Sequence, residues 1–181
     1  RQAIGTAQLP PSQVLTALSL FMTFLIMAPA WNKVYVDSIL PYTERSISLE
    51  EAYKKGELPI REFMCRQIER TNNTDDVRMF MSYIRDHKGD PLPTEMSWRE
   101  VPWRALLPAF MISELKTAFL IGFQIFLPFL VLDMVVASIM VSMGMMMLPP
   151  VIISLPFKLM LFVLMNGWDL VVVMLMEGFA L

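Results

Sequence analysis

One cysteine and one histidine are all that 181 residues provide. The lone Cys65 cannot close an intramolecular disulfide, so thiol usage says little about compartment. Its apolar neighbours and helical setting suit a small buried filler. The lone His87 lies in Asp86-His87-Lys88-Gly89, where a helix C-terminal cap fits better than catalysis, and it leaves no Ser–His pair and no His-Glu-x-x-His zinc motif. Charge is scarce as well. Only 18% of residues are charged against 55% hydrophobic, and the mean hydropathy is +0.51, values that point to a membrane protein. A net charge of −2 gives nucleic-acid binding no electrostatic support. There is no internal repeat.

The few charges are unevenly placed. Residues 33–104 hold 25 of the 32, and beyond Ala105 only Glu114, Lys116, Asp133, Lys158, Asp169 and Glu177 remain. That contrast divides the chain into a hydrophobic N-terminal helix over 1–30, a polar helical insert over 31–104 and a hydrophobic region over 105–181. The chain starts at Arg1 without Met, as expected of a cleaved signal peptide or a truncated chain. Pro10-Pro11-Ser12 leads into an apolar run from Val14 to Ala30, the short end of a transmembrane helix, with Trp31 as an interfacial anchor.

Three amphipathic helices are expected in the insert. Ser48-Leu49-Glu50-Glu51 fits a capping box, with Gly56 as the stop. Pro59 opens a second helix with Ile60, Phe63, Met64 and Ile68 on one face. Thr74 caps a third, whose stripe is Val77, Phe80, Met81 and Ile84. Asn72-Asn73-Thr74 matches a glycosylation sequon, a pattern frequent by chance. Pro91, Pro93 and Pro102 mark the linker into the hydrophobic region.

Ala105 to Leu148 would be about 66 Å long if wholly helical, against a bilayer core of roughly 30 Å. Either two segments meet near Pro128, or one long kinked helix runs largely against protein. Pro149-Pro150 forces a turn, and the arm from Val151 to Leu175 is broken at Pro156 and at Asn166-Gly167. Hydropathy suggests about four spanning helices.

Ionisable groups inside apolar runs are functional candidates, and Asp133 and Lys158 stand out. In a straight hairpin turning at Pro149-Pro150 they are mismatched by roughly 12 Å along the axis. A direct pair then needs a kink at Pro128 or Pro156, or a neighbouring subunit, and the neighbouring subunit is the favoured expectation. Asp133 and Asp169 lack the Gly-x-Gly-Asp context of an intramembrane aspartyl dyad. Ten of the seventeen methionines fall between Met134 and Met176. They can be packing filler, a soft Cu(I) site with no Cys or His beside it, or a deformable seal around a pore. Composition does not separate filler from seal.

Several motifs appear in order through the hydrophobic region: Leu107-Pro108-Ala109-Phe110, Ser113-Glu114-Leu115-Lys116-Thr117-Ala118-Phe119, Ile121-Gly122-Phe123, Phe126-Leu127-Pro128-Phe129 and Asp133. Met143-Gly144-Met145-Met146-Met147-Leu148-Pro149-Pro150, Leu155-Pro156-Phe157-Lys158-Leu159 and Gly167-Trp168 follow. This series resembles the FliP family of flagellar export-gate proteins and, more broadly, the SctR proteins of virulence type III secretion. The likeness is dense from Leu107 to Trp168, weaker over Val14–Arg66 and almost nil over Arg70–Glu100.

The resemblance implies an all-α, multi-helix membrane-type protein that forms a non-enzymatic channel component without cofactors or metals. It implies a homo-oligomer, a pentamer, joined to FliQ and FliR in a closed helical cone that admits unfolded flagellar proteins. The location implied is the bacterial inner membrane in the flagellar basal body, with the 31–104 insert outside the cytoplasm. The family's methionine gasket corresponds to Met145, Met146 and Met147, reached through Gly144. Asp133, Lys158, Glu114 and Lys116 are then buried charges used in assembly, and Pro128, Pro149, Pro150 and Pro156 are turn and kink positions. Arg1 would be internal to a longer precursor, and the assembled gate would sit largely above the bilayer plane. A small-solute channel or transporter with a charged pathway through Asp133 and Lys158 is the alternative.

Overall fold

The computed structural model describes residues 10–86, 97, 98, 100–145 and 149–179, and among them there are helices and no strands. Helix α1 spans Ser12–Val34, a π-helical turn covers Tyr35–Ile39, and the short α2 is Leu40–Thr43. Helices α3 (Leu49–Arg70), α4 (Thr74–Asp86), α5 (Trp103–Ser142), α6 (Pro150–Leu164) and α7 (Gly167–Phe179) follow. The expected all-α architecture is therefore what the chain adopts. It divides into two compact units, Phe24–Thr117 and a second made of Arg1–Thr23 with Ala118–Leu181. His87 lies outside the described residues.

In the first unit the capping box forms as expected. The Ser48 side chain accepts from the Glu51 N–H at 3.2 Å, and Glu51 accepts from the Ser48 N–H at 3.1 Å. The helix so started does not stop at Gly56, and Pro59 does not begin another; both lie inside α3. Gly56 is retained for space. A methyl group there would sit 3.0 Å from Ser38 Oγ, and that hydroxyl donates to the Ala52 carbonyl at 2.6 Å. The glycine thus lets the π-helical turn lie flat on α3. Pro59 removes one helical hydrogen bond, a loss the 22-residue helix absorbs.

The apolar stripes meet as their spacing requires. Met64, Cys65 and Ile68 of α3, Val77 and Met81 of α4, and Val101, Ala105, Leu106 and Ala109 at the start of α5 form one buried cluster, lined by Ile60, Phe63, Phe80 and Ile84. Thr74 is the first residue of α4, not its cap. Asn72 takes φ 56° and closes α3, with the Asn73 N–H reaching the Ile68 carbonyl at 3.0 Å, the bond that ends a helix in a left-handed cap.

Cys65 is the buried filler expected of it. Burial pushes its thiol up to about 11, well above the usual value of about 8.5. In the folded chain it should resist maleimide labelling at pH 8.5 and react promptly once the chain is unfolded. The neutral thiol is the form the folded state prefers, so this group's contribution to stability falls as pH rises from about 8.5 towards 11. Rapid labelling of the native protein would show that the α3–α4–α5 cluster opens freely.

Among the described residues, fewer helices could span a membrane than hydropathy suggests. Two helical stretches there are long and apolar enough to cross one, Ser12–Thr43 of 32 residues and Trp103–Ser142 of 40 residues. Helices α6 and α7 have only 15 and 13 residues and meet at 64°, so together they make one broken span at most. The apolar arm does not break at Pro156, which lies inside α6; it divides where Asn166 takes φ 53° and ends α6. Helix α5 runs unbroken through Pro108 and Pro128; the chain adopts one long helix, not two segments meeting at Pro128.

Candidate functional site

The second unit is organised around a charged contact between α5 and α6. Helix α5 ends in a left-handed cap, with Gly144 at φ 74° and the Met145 N–H donating to the Met140 carbonyl at 3.0 Å. Only glycine takes that φ without cost. Pro149 in an extended conformation, followed by Pro150 as the first helical residue, starts α6. Asp133 therefore stands nine residues before the end of α5 and Lys158 eight residues after the start of α6, heights of about 13 Å and 12 Å at roughly 1.5 Å per residue.

The mismatch expected of a hairpin turning at Pro149-Pro150 disappears, because α5 stops at Ser142. Lys158 Nζ donates to Asp133 Oδ2 at 2.6 Å, and Ser154 Oγ donates to Asp133 Oδ1 at 2.5 Å. The pair forms within one chain, which corrects the expectation of a neighbouring subunit. Ser154 is the partner that sequence reasoning missed, although its spacing of four from Lys158 places both on one face of α6. The Lys158 side chain is 3% exposed and that of Asp133 25%. A charge so deeply buried persists only with its counter-ion.

Beside this pair, α6 turns into α7 at an aromatic elbow. The Phe162 ring lies against Gly167, where a methyl group would meet it at 2.3 Å. Phe162 also faces Trp168 edge-on at 5.4 Å between ring centroids and Phe129 of α5 at 6.4 Å. Asn166 donates to Asp169 across the break. Asp133 and Asp169 thus have separate partners and form no dyad. Among the described residues no three His, Cys, Asp or Glu side chains converge on a metal position.

Glu114 and Lys116 belong to the first unit. Lys116 is not deeply buried; its side chain is 55% exposed and pairs with the buried Asp76 of α4. Glu114 has one buried carboxylate oxygen without a hydrogen-bond partner, as does Asp76. Ser113 is fully buried. It accepts from Asn73 Nδ2 at 2.9 Å and lies 2.8 Å from Thr71 Oγ1, which also reaches the Gln67 and Ile68 carbonyls at 3.0 and 3.2 Å. With Ser113 as the donor to Thr71, every proton in that chain of hydroxyls has an acceptor.

A second fastening, also unforeseen, centres on Arg61. Its guanidinium donates to the Val101 carbonyl at 2.6 Å, pairs with Glu57 at 3.0 Å and lies 4.7 Å from the Trp103 ring centre. The Arg61 hydrogen bond, with that from the Trp103 indole, holds the Glu57 carboxyl below the usual carboxylate range. These contacts tie the segment before α5 to α3. Of the methionines expected to seal a pore, Met145 is exposed beside Gly144, whereas Met146 and Met147 lie outside the described residues.

The sequence of this site and its surroundings matches a known family. The FliP family model covers residues 1–175. The chain belongs to the FliP family. It is 49% identical over 179 residues to the Flagellar biosynthetic protein FliP of Bacillus subtilis, which covers 99% of this chain and 76% of that protein. To the FliP of Pectobacterium carotovorum it is also 49% identical over 179 residues, 99% of this chain and 66% of the relative. The FliP of Aquifex aeolicus is 47% identical over the same length and 72% of it is covered. The chain thus spans between about two thirds and three quarters of these curated relatives.

Proposed function

We propose that this chain is a core subunit of the flagellar type III protein export gate in the bacterial inner membrane. Several copies, five by the family likeness, assemble with FliQ and FliR into the entry channel for unfolded flagellar proteins within the basal body. The 31–104 insert lies outside the cytoplasm. The reading is supported by a family match that runs through both units, to relatives named for flagellar biosynthesis.

The exposed helices point the same way. In the most apolar window of α5 only 11% is buried within the chain, so most of that surface is left for subunits or lipid. The chain serves as structure, without catalysis: Asp133 and Lys158 brace α5 against α6, and the run Met145, Met146 and Met147 between those two helices supplies the seal. Unbranched thioether side chains deform around a passing chain more readily than branched ones. The transporter alternative finds less support, since Asp133 has both oxygens engaged by Lys158 and Ser154.

The native mass of the chain, purified in mild detergent with its genomic neighbours co-expressed, tests the assembly. A discrete complex of several copies with two other small hydrophobic proteins is expected, and a stable lone monomer or homodimer would refute the gate. Deleting Met145–Met147 tests the seal. Ion leakage across the membrane should rise while export continues, and an ion-tight deletion variant at normal abundance would remove the seal assignment.

A further inference from the structure

Between α5, α6 and α7 lies a cavity of about 190 Å³ walled by apolar side chains, among them Phe129, Phe162, Leu170 and Met174, and by one polar residue, Gln124. Pro128, one turn further along α5, also lines it. The Gln124 side chain is exposed, and among the described residues it makes no hydrogen bond. An open amide on an apolar helix is costly against hydrocarbon. Its N–H groups require acceptor atoms carried by an apolar neighbour. The surrounding surface is apolar too, with Phe119, Leu120, Phe123 and Leu127 exposed.

Helix α1 has the complementary chemistry. Leu15, Leu18, Met22 and Ile26 are its more buried positions, while Ser12, Thr16, Ser19 and Thr23 are exposed on a flank of the same apolar helix. Thr16, Ser19 and Thr23 donate to the carbonyls four residues earlier at 2.9, 2.8 and 2.8 Å. Their protons are committed to their own helix and their oxygens remain free to accept, which is what an amide N–H needs. Small hydroxyl side chains also let two helices approach closely.

We propose that the Gln124 face of α5 docks the hydroxyl face of α1 from a second copy of this chain. The two faces are different patches, so the contact is head-to-tail and propagates from copy to copy around a ring or along a helical path. This rests on the multi-copy reading above and adds which surfaces meet.

The test co-expresses two differently tagged full-length chains, one with Gln124→Cys and the other with Thr16→Cys, and oxidises the membranes. Native Cys65 is buried and stays in place. A disulfide heterodimer is expected only when both substitutions are present, and Ser19→Cys in place of Thr16→Cys should give it too. Gln124→Leu should weaken association about 3- to 30-fold, as loss of one interhelical hydrogen bond does in apolar surroundings, with Gln124→Asn retaining part of it. If native mass shows several copies yet no heterodimer forms, or Gln124→Cys links to itself, the docking assignment is wrong while the gate reading stands. A single copy by native mass removes both.

Discussion

Asp133→Ala is expected to cost about 3–5 kcal/mol, because it strands the Lys158 charge in a buried position. The reverse change should cost less. Lys158→Met leaves Asp133 a quarter exposed and still bonded to Ser154. Replacing both, Asp133→Leu with Lys158→Met, should recover most of the loss, since two apolar side chains of similar volume can replace a buried ion pair at little cost. Thermal unfolding of the isolated chain in detergent checks this, with the interaction taken from the double-mutant cycle. A contact between subunits would leave the isolated chain's stability unchanged and show itself only in the assembled complex. Additive single effects in the isolated chain would therefore contradict the intrachain pair.

That pair shows where sequence reasoning succeeds and where it fails. Asp133 and Lys158 were conspicuous because each is a lone charge in an apolar run. Their partnership within one chain was not legible, because the hairpin's height depends on where α5 stops. The turn looked set by Pro149-Pro150, whereas Gly144 had already closed the helix at Ser142. A shift of a few residues in that boundary moves the partner by about 1.5 Å per residue, enough to turn a contact into a mismatch.

The insert gives a similar lesson. Its buried stripes were readable from their period, since Val77 and Met81 or Met64 and Ile68 must share a face. The two proposed breaks at Gly56 and Pro59 were not breaks, because a glycine that makes room for Ser38 and a proline that forfeits one bond can both sit inside a long, well-packed helix. The fastenings at Arg61 and Ser113 join residues about 40 positions apart. Local pattern carries no information on such pairs. The number of spans is lower than hydropathy suggests because a stretch long enough for two segments meeting at Pro128 forms one helix that runs on through that proline.

Gly167→Ala should be the most damaging alanine substitution among the described glycines. Three carbons of the Phe162 ring lie within 2.7 Å of where that methyl would stand, and the ring has little room to retreat with Phe129 and Trp168 on either side. Overpacking of this kind costs about 1–3 kcal/mol, and more where the neighbours cannot yield. The α6–α7 angle should open as the ring is displaced, which a changed protease cleavage pattern near Asn166 would reveal. Gly122 provides the contrast. An added methyl there meets nothing within 4 Å, so Gly122→Ala should leave the isolated chain unharmed or stabilise it by up to about 1 kcal/mol through helix propensity. Phe162→Leu shrinks the obstructing side chain, and combined with Gly167→Ala it should restore part of the lost stability. If Gly167→Ala proves as benign as Gly122→Ala, the ring is not held against the elbow and the 64° bend must come from the Asn166 backbone alone.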